Sequence, residues 1–270
     1  MIPAPFDYIA AESAGHAIGL LAEHGDDAKV LAGGHSLLPM MKLRLATPEL
    51  LIDIGGLDEL AGIATDGGEL VIGATTRHAD LAASGLARAE APLLAYAASQ
   101  VGDPQIRHRG TIGGSLSHAD PAADLPMAVV AVGGSLELQG PSGTRTVAAD
   151  DFFVGYFETA LAPDELVTAV RVPRRPGVPW GYQKFVRRAN DWAIVGVAAV
   201  DGRIALANMG PRPLRATAAE QALAAGASPA EAAELAADGT SPGEDLHADR
   251  EYRSHLARVL TRRALEHETA

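Results

Sequence analysis

The chain of 270 residues contains no cysteine. Without thiols it cannot form disulfides or use a thiolate nucleophile. It also cannot by itself hold an iron–sulfur cluster or a thiolate-bound zinc ion. The absence is compatible with a reducing compartment.

Basic residues are also scarce, with 22 Lys and Arg against 34 Asp and Glu and a net charge of −12. The arginine pairs at 174–175, 187–188 and 262–263 are short and separated. Because nucleic-acid binding needs a dense basic surface that displaces counterions from phosphates, we expect no nucleic-acid partner.

Long apolar runs are missing too. No stretch approaches the roughly 20 residues that cross a bilayer, and the first residues, MIPAPFD, lack the basic and apolar regions of a signal peptide. We therefore expect a soluble, cytoplasmic protein with no membrane span.

Several common motifs do not occur. There is no Gly-x-Gly-x-x-Gly of a Rossmann site, no phosphate-binding P-loop and no His-Glu-x-x-His. A nucleophile elbow nearly forms at 34–37 and at 113–116, but its closing glycine is missing from both.

Two glycine-rich stretches are the most informative features that the sequence does contain. Residues 30–39 read VLAGGHSLLP, and residues 109–117 repeat the formula 80 positions later as RGTIGGSLS. Either one alone is also typical of an ordinary turn between two elements. Glycines let a ligand approach the backbone closely, and consecutive amides in such turns can form a concavity for an anion. Together the two stretches predict loops that close on one dinucleotide.

A third stretch, HADPAADLP at 118–126, follows the second glycine stretch. Asp120 or Asp124 could accept hydrogen bonds from a ribose diol, or could cap the next helix. His118 could act as a base, or could be an ordinary loop histidine.

The hydrophobic pattern mixes strands and helices along the whole chain, which predicts the α+β class. Strands are expected at 29–32, 50–54, 63–65, 70–72, 135–138, 144–147, 166–172, 182–187, 194–200 and 203–208. Helices are expected at 13–24, 40–43, 76–84, 91–101, 124–132, 217–225, 229–237 and 249–266. A Pro/Gly-rich linker at 172–179 separates the last part, so we expect units at 1–55, 56–175 and 176–270.

Residues 32–44 (AGGHSLLPMMKLR), 111–115 (TIGGS) and 118–126 together resemble the FAD-binding medium subunits of the carbon monoxide dehydrogenase type. These subunits are separate-chain counterparts of the flavin domain of xanthine dehydrogenase. The resemblance extends over nearly the whole chain. It implies the vanillyl-alcohol-oxidase (PCMH-type) FAD-binding fold of two α+β subdomains, plus a C-terminal three-stranded sheet with a helical bundle. Ser115 departs from the asparagine that many relatives carry.

The resemblance also implies cofactor-binding positions. By resemblance, the glycine stretches bind the diphosphate and neighbouring flavin atoms. By the same resemblance, Asp124 contacts hydroxyl groups of the cofactor, and Trp192 lies over the flavin ring. Lys184 matches a lysine at the polar edge of the flavin, where an ammonium would stabilise the anionic reduced form. For Lys184 an ordinary solvated lysine remains an alternative, and for Trp192 a tryptophan buried in the core. The full predicted set is Lys29, Val30, Leu31, Ala32, Gly33, Gly34, His35, Ser36, Leu37, Val101, Thr111, Ile112, Gly113, Gly114, Ser115, Ser117, Asp120, Asp124, Leu166, Val167, Lys184 and Trp192.

The implied function is electron transfer through FAD within a multisubunit molybdenum hydroxylase. A large subunit would carry molybdopterin and a small subunit the 2Fe-2S clusters, in a dimer of heterotrimers, so no acid, base or metal ligand is assigned to this chain. The alternatives are a stand-alone FAD oxidase of the same fold, an assembly module that has lost FAD and, last, a hydrolase using Ser117, His118 and Asp120.

Overall fold

The N-terminal layer is a small parallel sheet covered by one helix. The computed structural model describes residues 2–266. The sheet has the strand order β1-β3-β2, and its elements are β1 (Asp7–Ala10), α1 (Ala14–His24), β2 (Ala28–Leu31), α2 (Leu37–Lys42) and β3 (Leu50–Asp53). Ser13 caps α1, the helix expected at 13–24, by accepting a hydrogen bond from the amide of His16 at 3.0 Å. The sequence did not predict β1, because three of its four residues are exposed and it shows no apolar alternation.

The middle of the chain folds around a five-stranded antiparallel sheet. Its strand order is β4-β5-β10-β6-β7, so the late strand β10 lies at the centre and joins the antiparallel pairs β4–β5 and β6–β7. The strands are β4 (Ile63–Asp66), β5 (Glu69–Gly73), β6 (Ser135–Gly140), β7 (Gly143–Ala148) and β10 (Leu166–Pro173), with a separate two-stranded ribbon of β8 (Phe153–Gly155) and β9 (Glu158–Thr159).

Seven helices accompany this sheet: α3 (His78–Ala83), α4 (Gly85–Glu90), α5 (Pro92–Ser99), α6 (Pro104–Arg109), α7 (Ile112–His118), α8 (Asp124–Val132) and α9 (Ala149–Phe152). The second glycine stretch was predicted to form a loop. This prediction was wrong for Gly113 and Gly114, which lie in the first turn of α7. The cap of Thr111 on the amide of Gly114 starts this helix. The helix α8 is buried at every position, which explains its uninterrupted apolar sequence.

The C-terminal unit is an antiparallel sheet between two helices. Its strands are β11 (Trp180–Phe185), β12 (Val195–Val200), β13 (Arg203–Ala207) and β14 (Leu214–Arg215), followed by α10 (Thr217–Ala224), α11 (Pro229–Glu234) and α12 (Arg250–Glu266). One face of the sheet packs on α12 and the other on α8, so all six residues of β12 are buried. The predicted three strands are present, and the two-residue β14 adds a fourth that is too short to show a sequence pattern.

Three buried apolar clusters follow these layers. One surrounds α1 and the parallel sheet, one surrounds α8 and the five-stranded sheet, and one lies between the C-terminal sheet and α12. Among the helices of residues 2–266, none combines the length and apolar character that a bilayer crossing requires.

Candidate functional site

A cavity of about 490 Å³ lies where the loops of the first two layers meet. Both glycine stretches line it, so the shared cleft that the sequence predicts is present. Of the predicted site residues, all except Ile112, Asp124 and Lys184 line this cavity. Its size is within the usual range for cofactor pockets.

The two glycine stretches touch each other directly. A Cβ atom built on Gly33 would overlap the carbonyl oxygen of Arg109 and would lie 2.8 Å from the Cα of Gly110. A Cβ atom on Gly113 would lie 2.6 Å from the Cβ of Ala74. These contacts leave no room for side chains, so glycine is required for the backbones to approach this closely.

The first glycine stretch presents free backbone donors. In the part of the chain that the structure describes, the amides of residues 33–37 donate no hydrogen bond to a protein acceptor. Gly34 has a φ of +77°, which turns the chain between β2 and α2. A run of unpaired amides lining a cavity is suited to an anionic group such as a diphosphate.

The second glycine stretch differs, because its amides are already used. The amide of Ile112 donates to the carbonyl of Thr76 at 3.0 Å, and that of Gly113 to the carbonyl of Ala74 at 2.8 Å. The amide of Gly114 donates to Thr111 Oγ1 at 3.2 Å. The expectation that consecutive amides form a concavity for an anion therefore does not hold at 112–114. The second stretch contributes a close surface and the hydroxyl-bearing residues Ser115 and Ser117, but no free amides at these positions.

Ile112 was predicted to contact the cofactor, but it is fully buried in the main core and does not line the cavity. The reason is its position at the start of α7, where it anchors the helix beneath the glycines. The apolar wall is instead formed by the predicted Val101, Leu166 and Val167.

Part of the cavity wall was not predicted from the sequence. Four of the unpredicted residues, Met40, Gly110, His118 and Ala123, lie within the stretches singled out above. The others lie in helices, at strand ends or in loops whose sequences carry no motif. The unpredicted lining residues are Met40, Ala46, Ile54, Ala74, His78, Gly102, Ile106, Gly110, His118, Ala123, Leu161, Glu165, Asn190 and Asp191.

Asp124 and Lys184 were predicted to contact the cofactor, but their side chains bind each other. Lys184 Nζ donates to Asp124 Oδ2 at 2.9 Å and to the carbonyl of Gln100 at 3.2 Å. The hydroxyl of Tyr182 donates to the other carboxylate oxygen. Burial raises the pKa of Asp124, against the opposing effects of Lys184 and Tyr182. Two buried opposite charges are stable only when paired, which explains why these side chains turn to one another.

The 118–126 stretch borders the cavity without forming a catalytic triad. Asp120 accepts a hydrogen bond from the amide of Ala122 at 2.9 Å, which makes it a turn residue. The ring of His118 packs against that of Phe157 with centroids 5.0 Å apart, and burial lowers its pKa. In residues 2–266 no hydrogen bond joins Ser117, His118 and Asp120, so the hydrolase alternative has no geometric support.

Trp192 lies at the rim of the cavity in the loop between β11 and β12. Its side chain is 65% exposed. The core-tryptophan alternative was therefore wrong. A large exposed aromatic ring at a cavity mouth is available to stack on a planar ligand.

Comparisons with known proteins give a consistent result over the whole chain. A family model described as "FAD binding domain in molybdopterin dehydrogenase" matches residues 4–175. A second, described as "CO dehydrogenase flavoprotein C-terminal domain", matches residues 180–267.

Similar proteins include two carbon monoxide dehydrogenase medium chains. That of Hydrogenophaga pseudoflava is 46% identical over 98% of this chain and 97% of its own length. That of Afipia carboxidovorans is 42% identical with the same coverage. The solved carbon monoxide dehydrogenase from H. pseudoflava superposes with a TM-score of 0.95 at 48% identity, covering 98% of both chains.

Proposed function

Because this chain belongs to the family of FAD-binding medium subunits of carbon monoxide dehydrogenase and related molybdenum hydroxylases, we propose that it binds one FAD in the central cavity. Bound FAD supplies a redox centre that accepts electrons from a donor and passes them to an acceptor. The predicted α+β flavoprotein fold is confirmed by the superposition on relatives.

The observation that carries the proposal is the row of unpaired amides at 33–37, next to the contact of Gly33 with Gly110. The amides would hold the diphosphate through its oxygens. The apolar side chains of Val101, Leu166 and Val167 would exclude water from the ring system, and Trp192 would cover its exposed face.

Partner subunits complete this function. The sequence has no cysteine, so the 2Fe-2S clusters expected in such a complex would be held by a small subunit, and molybdopterin by a large subunit. We propose a cytoplasmic dimer of heterotrimers. We also retain the division into units 1–55, 56–175 and 176–270, which is supported by the sheets, because no sheet among residues 2–266 combines strands from two of these units.

The test is the flavin content of the purified full chain. We expect a yellow protein with one FAD, or an apoprotein that takes up one FAD when it is supplied. The variant Gly34→Asp places a carboxylate among the free amides and strains a φ of +77°, so its FAD dissociation constant should rise at least about ten-fold.

The matched control is Gly56→Asp, because a Cβ atom on Gly56 meets open space and this glycine does not line the cavity. It should bind FAD as the wild type does. A wild-type chain that takes up no FAD, alone or with its partner subunits, contradicts the proposal and favours an assembly module. Oxidation of a small alcohol by the isolated chain would instead favour a stand-alone oxidase.

A further inference from the structure

His78 is a buried histidine at the junction of the two glycine stretches. It opens α3, its backbone amide donates to the carbonyl of Gly110 at 3.0 Å, and its side chain is 4% exposed. A Cβ atom on Gly110 would lie 2.7 Å from both Cδ2 and Nε2 of the ring. The imidazole is thus held with one edge against the second glycine stretch, and both His78 and Gly110 line the cavity.

The two ring nitrogens have different surroundings. Nδ1 is sealed from solvent and has no hydrogen-bond partner among the described residues. Nε2, on the edge that borders Gly110, is not sealed in this way. A neutral imidazole carries one N–H donor and one acceptor. Placing the proton on Nε2 leaves only an acceptor lone pair buried at Nδ1, whereas the other tautomer would bury an unpaired N–H.

The second glycine stretch lacks free backbone amides at 112–114, whereas the first has them at 33–37. The amides of Ile112, Gly113 and Gly114 are all bonded within the protein. An anion held on one side by the amides of 33–37 therefore meets no free amide from 112–114 on its other side. Nε2 of His78 borders Gly110, and Gly110 in turn lies against Gly33, the first residue of the 33–37 run.

We propose that His78 is a binding residue for the diphosphate of the cofactor, donating a hydrogen bond from Nε2–H to a phosphoryl oxygen. This inference rests on the proposed function. A neutral donor suits the position because it completes the coordination of the anion and adds no buried charge. Burial and the nearby His35, Arg77 and Arg107 lower the pKa of His78 to about 4, so the ring is neutral at physiological pH.

The experiment compares three ligands on the full-length apoprotein by flavin fluorescence: FAD, FMN with one phosphate, and riboflavin with none. His78→Leu removes the donor, whereas His78→Gln places an amide N–H near the position of Nε2. We expect His78→Leu to raise the dissociation constant of FAD about ten-fold and that of riboflavin less than two-fold. His78→Gln should restore most of the FAD affinity.

Two results overturn the inference: unchanged FAD binding by His78→Leu, and an equal loss for FAD and riboflavin. The second would mean that the ring only shapes the cavity. If the wild-type chain takes up no FAD at all, the proposed function fails as well.

A measurement on the wild type covers the case in which His78→Leu does not fold. Nitrogen-15 NMR of the histidines should show His78 as the neutral Nε2–H tautomer, with its Nε2 proton shifted by FAD but not by riboflavin. A proton on Nδ1, or no shift with FAD, contradicts the assignment.

Discussion

Lys184 and Asp124, 60 residues apart in the chain, meet as a buried ion pair with 2.9 Å between Nζ and Oδ2. The pair joins β11 of the C-terminal sheet to the first turn of α8. Ala123, which precedes Asp124, lines the cavity, and so do Val101 and Gly102, which follow the Gln100 carbonyl that Lys184 Nζ contacts. The pair therefore fixes the wall of the cavity to the C-terminal unit, although neither side chain lines that wall.

Removing one partner of this pair should be costly. The side chains of Lys184 and Asp124 are only 10% and 8% exposed, so Lys184→Met leaves a buried carboxylate without its counter-ion. We expect the free energy of unfolding to fall by about 3–5 kcal/mol, measured by urea denaturation of the full chain.

The double variant Asp124→Asn with Lys184→Met serves as the control, because it removes both charges. It should be more stable than Lys184→Met alone. Asp124→Asn is also measured alone. If the changes that Lys184→Met and Asp124→Asn cause in the free energy of unfolding simply add in the double variant, the two groups are not coupled and this account of the pair is wrong.

Gly33→Ala should disrupt the junction of the glycine stretches. Because the added Cβ atom meets the backbone of Arg109 and Gly110, relief requires a backbone shift, and we expect a loss of about 1–3 kcal/mol in the free energy of unfolding. FAD binding should weaken in parallel. Gly56→Ala, which meets no atom within 4 Å, should change neither quantity, and equal behaviour of the two variants would refute the close contact.

The buried His78 predicts a pH dependence of stability. Its folded pKa of about 4 lies below the ordinary 6.5, so between these values the unfolded chain binds a proton that the folded chain does not. Stability therefore falls as the pH falls through this window, by about 2 kcal/mol between about pH 7.5 and about pH 5.

Urea denaturation at both pH values measures this loss, and His78→Gln isolates it from the other titrating groups. The variant should lose about 2 kcal/mol less than the wild type over the same interval. Parallel pH profiles for the two proteins would contradict a neutral buried imidazole.

Trp192 should matter for binding and not for folding. Because its ring is 65% exposed, Trp192→Ala should change the free energy of unfolding by less than about 0.5 kcal/mol. Loss of stacking should weaken FAD binding about five-fold, or about 1 kcal/mol. The FAD affinity of Trp192→Phe should lie between those of Trp192→Ala and the wild type.

Trp180→Phe leaves Trp192 as the one remaining tryptophan, and FAD should then quench its emission. Unquenched emission would place the ring away from the cofactor.

Local signals in the sequence predicted much of this fold. The helix expected at 13–24 is α1, bounded by Ser13 and Gly25, and the strands expected at 194–200 and 203–208 are β12 and β13, joined by a tight turn at Asp201 and Gly202. Helix ends and tight turns depend on residues that are neighbours in the chain, so the sequence indicates them directly. The exposed strand β1 was missed because only its pairing with β3 defines it.

The parts of the site that depend on close backbone packing could be predicted from the sequence. The parts that depend on pairing between residues far apart in the chain could not. Gly33 and Gly113 are required by close packing, which paired glycines indicate in advance. That Lys184 turns to Asp124, and that the amide of Gly113 bonds to Ala74, depends on residues far away in sequence. His78 carries no motif, and only its burial next to Gly110 reveals it.

The packing of α12 on β11 has a consequence for protein synthesis. A Cβ atom on Gly181 would overlap the carbonyl oxygen of Ala264, so the strand that begins the C-terminal sheet rests on α12, which follows all four strands of that sheet in sequence. This sheet can reach its final packing only after α12 has been synthesised. The lysine that joins it to α8 is therefore locked in place late, after the earlier layers have been synthesised.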